Sequence, residues 1–209
     1  MQLIKVISLC LILLSCKENK KIEQLDTSFE NDKYDIISQL INNVIPSSPP
    51  PPPPPDFDLK KMDTIYYKKY MDSLKNIEIN IALSNEFLII DKVSGNLPEH
   101  LDSEFINLLK KLENRRDKSK IQKDSLNLNS NYKVTIIDVG FYENLKDLFK
   151  DNYSRYIAIS TVVFNKFGNK AVVCFGEHTG SLSGYSVIYF LSKINSTWKI
   201  VGTKRLSIS

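Results

Sequence analysis

The residues able to do chemistry are few and scattered. There are two histidines, His100 and His178, and three cysteines, Cys10, Cys16 and Cys174. A metal site needs several His, Cys or carboxylate ligands at short spacings, and no such group is present, so neither a metal nor a cofactor is expected. Nucleophilic catalysis needs a hydroxyl or thiol beside a base. The nearest approach is His178 followed by Gly180-Ser181-Leu182-Ser183-Gly184. This is not a Gly-x-Ser-x-Gly elbow, because Leu182 holds the central position and an elbow joins a strand to a helix. Here β-rich runs lie on both sides, and small residues at a hairpin turn explain the segment. A hydrolase using His178, Ser181 and Ser183 remains an alternative, with no third group to orient the base. No glycine-rich phosphate loop is present. Asp56 and Asp58 form an acidic pair, but spacing alone does not set two carboxylates across a cleft. Cys174 lies in an apolar run and reads as a small buried hydrophobe.

Cys16 is different, because of what precedes it. Met1 to Lys5 carries one positive charge, and Val6 to Leu14 is apolar apart from Ser8. That length suits the apolar region of a signal peptide and is too short to span a bilayer. The run ends in Leu13-Leu14-Ser15-Cys16, which resembles the bacterial lipobox. Leu13, Ser15 and Cys16 fit that pattern, while Leu14 is unusual at its tolerant position. The resemblance implies removal of residues 1–15, diacylglycerol on the Cys16 thiol and acylation, such as by palmitate, of the new amino group. One acyl chain gives only reversible membrane binding, whereas two or three on one residue anchor stably. The alternative is a plain secretory leader with an accidental Cys. Lys17-Glu18-Asn19-Lys20-Lys21 resembles the charged surface-export tether of some Bacteroidota lipoproteins. The expected location is the bacterial outer membrane or cell surface, and the expected partner is membrane lipid through acylated Cys16.

The chain has 209 residues, 42% hydrophobic and 25% charged, and a formal charge of +4 that falls by one when Lys5 leaves with the leader. These are globular values. The charge is too mild to argue for nucleic acid, and no nucleic-acid motif appears.

Residues 16–27 read as a tether and residues 28–45 as an amphipathic helix. Thr27 and Glu30 have capping-box spacing, and Tyr34, Ile37, Leu40, Ile41, Val44 and Ile45 form one stripe. Six large apolar residues would stay wet in a free stalk, so the helix is expected to dock on the domain. Residues 46–58 hold seven consecutive prolines, a stiff rod of about 22 Å in the polyproline II form, read as a spacer rather than a docking site.

Residues 59–209 are expected to form an α+β globular domain. Leu59 to Lys75 reads as a helix, Ile77 to Leu83 alternates as a half-buried strand, and Asp102 or Ser103 can cap a helix carrying Phe105, Leu108, Leu109 and Leu112. The basic stretch Lys110–Lys123 reads as its solvated end. Tyr132–Ile136 is a strand and Glu143–Lys150 a short helix. Tyr156–Phe164, Ala171–Glu177, Tyr185–Lys193 and Thr197–Val201, joined by short turns, predict a four-stranded antiparallel meander. The expected architecture is N-terminal helices packed on one face of an antiparallel sheet.

From Tyr156 to Ile200, the Val-Phe-Asn-Lys segment, the Gly-Ser-Leu-Ser-Gly turn, the aromatic strand and Trp198-Lys199-Ile200 together resemble the C-terminal part of uncharacterised Bacteroidota lipoproteins. A Cys-Gly-Ser-Leu-Cys-Gly form of the turn would imply a hairpin disulfide. Thr179 and Ser183 stand at those positions, so that staple is absent. The resemblance implies a compartment and no activity. The expected function is a non-catalytic, lipid-anchored binding or interaction module. A further alternative is an immunity-type lipoprotein with a protein partner.

Overall fold

The computed structural model describes residues 29–44, 78–138, 140, 145–180 and 183–208. The leader, Cys16, the tether, Thr27, the proline run, the 59–75 helical stretch and Ser181 lie outside the described residues.

The chain is α+β. Helix α1 (Glu30–Asn42) precedes strand β1 (Ile79–Ser84), helix α2 (Ser103–Asn114) and strand β2 (Tyr132–Ile137). A short helix α3 (Leu145–Lys150) leads to β3 (Arg155–Ile159), β4 (Val163–Phe164), β5 (Lys170–Gly180), β6 (Ser183–Ile194) and β7 (Thr197–Ile208). The sheet runs β2-β1-β3-β5-β6-β7, with β4 also paired to β5. The four strands β3, β5, β6 and β7 form the expected antiparallel meander, while β1 pairs in parallel with both β2 and β3. The sheet is therefore mixed.

The expectation that the helices share one face does not hold. Along β5, Ala171, Val173 and Phe175 join the core under α1, while Val172 and Cys174 point into a second core under α2. Farther along that second face, Leu148 of α3 is buried with Ala82 and Tyr156. Strand side chains alternate between faces, and a strand apolar on both faces needs a layer on each side. For the same reason β1 is almost wholly buried rather than half-buried.

Helix α1 docks on the sheet, with Tyr34, Ile37, Leu40, Ile41 and Val44 of the expected stripe buried, and Ile36 with them. Its polar residues tie it to distant strands and loops. The Asp32 carboxylate accepts from Lys193 Nζ at 2.6 and 2.9 Å and from Trp198 Nε1 at 3.1 Å. The Tyr34 hydroxyl accepts from the Gln122 N–H, and Ser38 Oγ accepts from the Asn127 N–H. The helix starts on Phe29, which makes no side-chain cap hydrogen bond and stacks instead on Phe164, with ring centroids 5.2 Å apart.

The N-cap of α2 is Asp102, whose carboxylate accepts from the N–H groups of Glu104 and Phe105. The basic stretch after it is not simply a solvated helix end. The helix stops at Asn114, the chain turns back, Lys120 bridges to Glu86, and Ile121 enters the core beneath α1.

Ile37 is fully buried between α1 and the sheet. Ile37→Ala is expected to lower the unfolding free energy by about 2–5 kcal/mol, measured by urea denaturation. Asn31→Ala, on the exposed side, should stay within about 0.5 kcal/mol. An unchanged midpoint for Ile37→Ala would show that α1 does not pack there in solution.

Candidate functional site

The hairpin of β5 and β6 does not assemble the constellation of the hydrolase alternative. His178 lies opposite Gly184 and covers it: a Cβ on Gly184 would run into the imidazole. The ring packs against Tyr156 with centroids 6.0 Å apart. Ser183 turns to the other side of the ribbon, where its Oγ accepts from Thr179 Oγ1 at 3.0 Å. His178 and Ser183 are therefore not a base and nucleophile in contact. His100 lies by β7, its Nε2 2.8 Å from the Val201 carbonyl oxygen. Cys174 is fully buried, and burial pushes its thiol pKa up to about 12. Among the described residues, no group of three or more His, Cys, Asp or Glu side chains is placed to hold a metal, and no helix is long and apolar enough to cross a membrane.

Two polar groupings were missed by the sequence reading. The first is a buried ion pair on the α1 face of the sheet. Arg155 Nη1 donates to Glu177 Oε1 at 2.5 Å, with both side chains 5% exposed, and the Tyr185 hydroxyl donates to Glu177 Oε2. Burial, then this hydrogen bond to the carboxylate, raises the Tyr185 pKa and keeps its proton in place. The signal was present: Arg155 has the parity of Ile157 and Ile159, and Glu177 that of Val173 and Phe175, so both face inward. A buried pair with all its hydrogen bonds is costly to break but is weak grounds for a catalytic role.

The second grouping lines a cleft of about 300 Å³ between the first turn of α1, the stretch after α2 and the link from β3 to β4. It lies beyond the carboxyl end of β3, where the chain leaves that strand for the link to β4. Lys33 and Arg115 bring positive charge, Asp117 negative charge, Ser119 and Thr161 hydroxyls, and Phe29 and Phe164 aromatic surface. Lys33 Nζ pairs with Glu30 at 2.7 Å, and Arg115 Nη2 lies 3.9 Å from Asp117 Oδ2. Burial works to raise the Asp117 pKa, but hydrogen bonds from the Ser119 hydroxyl and N–H and from the Thr161 hydroxyl, with the Arg115 charge, outweigh it and hold the carboxyl below its usual value. The cleft thus keeps both signs of charge at neutral pH, beside an apolar wall. Its volume is at the lower end of ligand pockets. These residues come from three segments far apart in sequence, so no local motif announces them.

Compared with protein-family models, curated proteins and solved structures, the chain matches none.

Glu177→Ala removes the carboxylate that Arg155 and Tyr185 share, and is expected to destabilise the fold by about 3–5 kcal/mol in chemical denaturation. A loss within about 0.5 kcal/mol would show that the pair is not buried. Burial also lowers the His178 pKa, against the opposing pull of Glu177. The folded protein then takes up this proton less readily than the unfolded chain, whose imidazole titrates near about 6.5. The stability tied to His178 is full above that pH and is lost as pH falls through the folded value. His178→Phe should therefore show a shallower loss of stability between about pH 7 and 5; identical slopes would contradict this.

Proposed function

We propose that the protein is an exported lipoprotein, held on the bacterial outer membrane or cell surface by lipid on Cys16, and that its domain acts as a non-catalytic binding or interaction module. The observation that carries the proposal is the position of Leu13-Leu14-Ser15-Cys16 directly at the end of the apolar leader, where a lipidating enzyme needs it. Two or three acyl chains on one residue exceed the threshold for stable anchoring, and a single chain does not. The cleft between α1 and the β3–β4 link supports a binding role. Its lysine, arginine and aspartate suit a small polar ligand carrying charge, and its two phenylalanine rings suit an apolar portion of that ligand.

Intact-mass analysis of protein purified from its own membranes tests the anchor. The expected species begins at Cys16 and carries diacylglycerol, and Cys16→Ser should leave the membrane fraction or keep its leader. A membrane-bound, fully processed Cys16→Ser protein would overturn the proposal.

A further inference from the structure

We infer that the β4–β5 and β6–β7 turns form a membrane-contacting tip, with Phe167 and Ile194 entering the lipid surface to which Cys16 is anchored. This rests on the anchor reading above. Phe167 is 77% exposed, more than any other large apolar side chain among the described residues, and Ile194 is 42% exposed. Single exposed apolar residues are ordinary. Phe167 lies in the β4–β5 turn and Ile194 closes β6 beside the β6–β7 turn, at the same end of the sheet, where the Lys193 N–H donates to the Asn169 carbonyl at 2.8 Å.

The turn that carries Phe167 is held rather than loose. Asn165 is 4% exposed; its Oδ1 accepts from the N–H groups of Asn169 and Lys170, and its Nδ2 donates to Glu104. Gly168 has a φ of 64°, and a Cβ there would run into the Phe29 ring. These contacts hold the turn in place, and Phe167 projects from it into solvent. A side chain held out in this way meets the low-entropy condition for insertion, because no loop has to be ordered when it binds. Exposed Lys166 and Lys199 stand at the same end, where Lys170 pairs with the Asp102 and Glu104 carboxylates, and such cations are drawn to anionic headgroups.

The chain's path argues for lipid as the occupant. Phe29, which opens α1, packs against Gly168 and stacks on Phe164, so the N-terminal side of the domain enters at this tip. Cys16 lies only thirteen residues earlier, which limits the separation to about 45 Å even at full extension. Tethering raises the effective concentration of the near end at the bilayer, so a modest apolar contact there suffices to orient the domain.

The test uses the full-length, lipidated protein in vesicles of phosphatidylethanolamine and phosphatidylglycerol with brominated acyl chains, which quench indole at contact. Trp198 is the only native tryptophan and is buried; its emission in the unsubstituted protein, recorded in both kinds of vesicle, is subtracted as background. Phe167→Trp should lose its added emission in brominated vesicles relative to unbrominated ones. Leu206→Trp, at the other end of β7, should not. Protein that floats with the vesicles while Phe167→Trp keeps full emission, or while Leu206→Trp alone is quenched, would overturn the inference and leave the anchor standing. Protein that fails to float and shows an unmodified Cys16 by mass would overturn the anchor, and the tip's orientation with it.

Discussion

Strand β5 is buried on both sides, and the rest of the fold answers to that constraint. Ala171, Val173 and Phe175 face one way and Val172 and Cys174 the other, each nearly or completely inaccessible. Backbone pairing to β3 and β6 satisfies the edges of the strand, but its two apolar faces need separate covers. Helix α1 closes one, and α2 with the segment around Ile90 closes the other. Removing either layer would expose a continuous apolar surface of the kind that folded monomers rarely present. The early helix is thus a required half of the core, whatever lies between it and β1.

Polar contacts then fix how those layers sit. Apolar packing is non-directional, and a stripe of isoleucines and leucines can slide. Asp32, Tyr34, Ser38 and Asn42 bond to partners spread from Gln122 to Trp198, so one registration of α1 satisfies all of them together. The Arg155–Glu177–Tyr185 group does similar work deeper in the sheet, where like parity along β3, β5 and β6 brings its members to one face. Removing one member of such a group leaves a buried charge uncompensated, which makes the arrangement costly to break.

The same layering creates the two surfaces of functional interest. Where α1 begins, its first turn, the returning stretch after α2 and the β3–β4 link converge without closing, which leaves the charged cleft. Beside them the Asn165 amide holds a turn whose apolar residue, Phe167, stands largely exposed. Both features gather at the end of the domain where Phe29 opens α1. A lipid anchor there would set the cleft close to the membrane and turn the β5–β6 hairpin outward.

Much of this was legible in the amino-acid order because it depends on local period and local chemistry. The stripe of α1, the Asp102 cap, the alternation of β1 and the short turns of the C-terminal meander each need only a few neighbouring residues to be recognised. What the order could not display was which distant faces meet. The division of helices between two faces, the parallel placement of β1 between β2 and β3, the partnership of Arg155 with Glu177 and the convergence of Lys33, Arg115, Asp117 and Thr161 all join segments tens of residues apart. Periodicity states that a face must be buried but not against what. That choice is made by the chain as a whole, when the apolar areas of every element are covered at once and each buried charge and hydrogen-bonding group finds a partner.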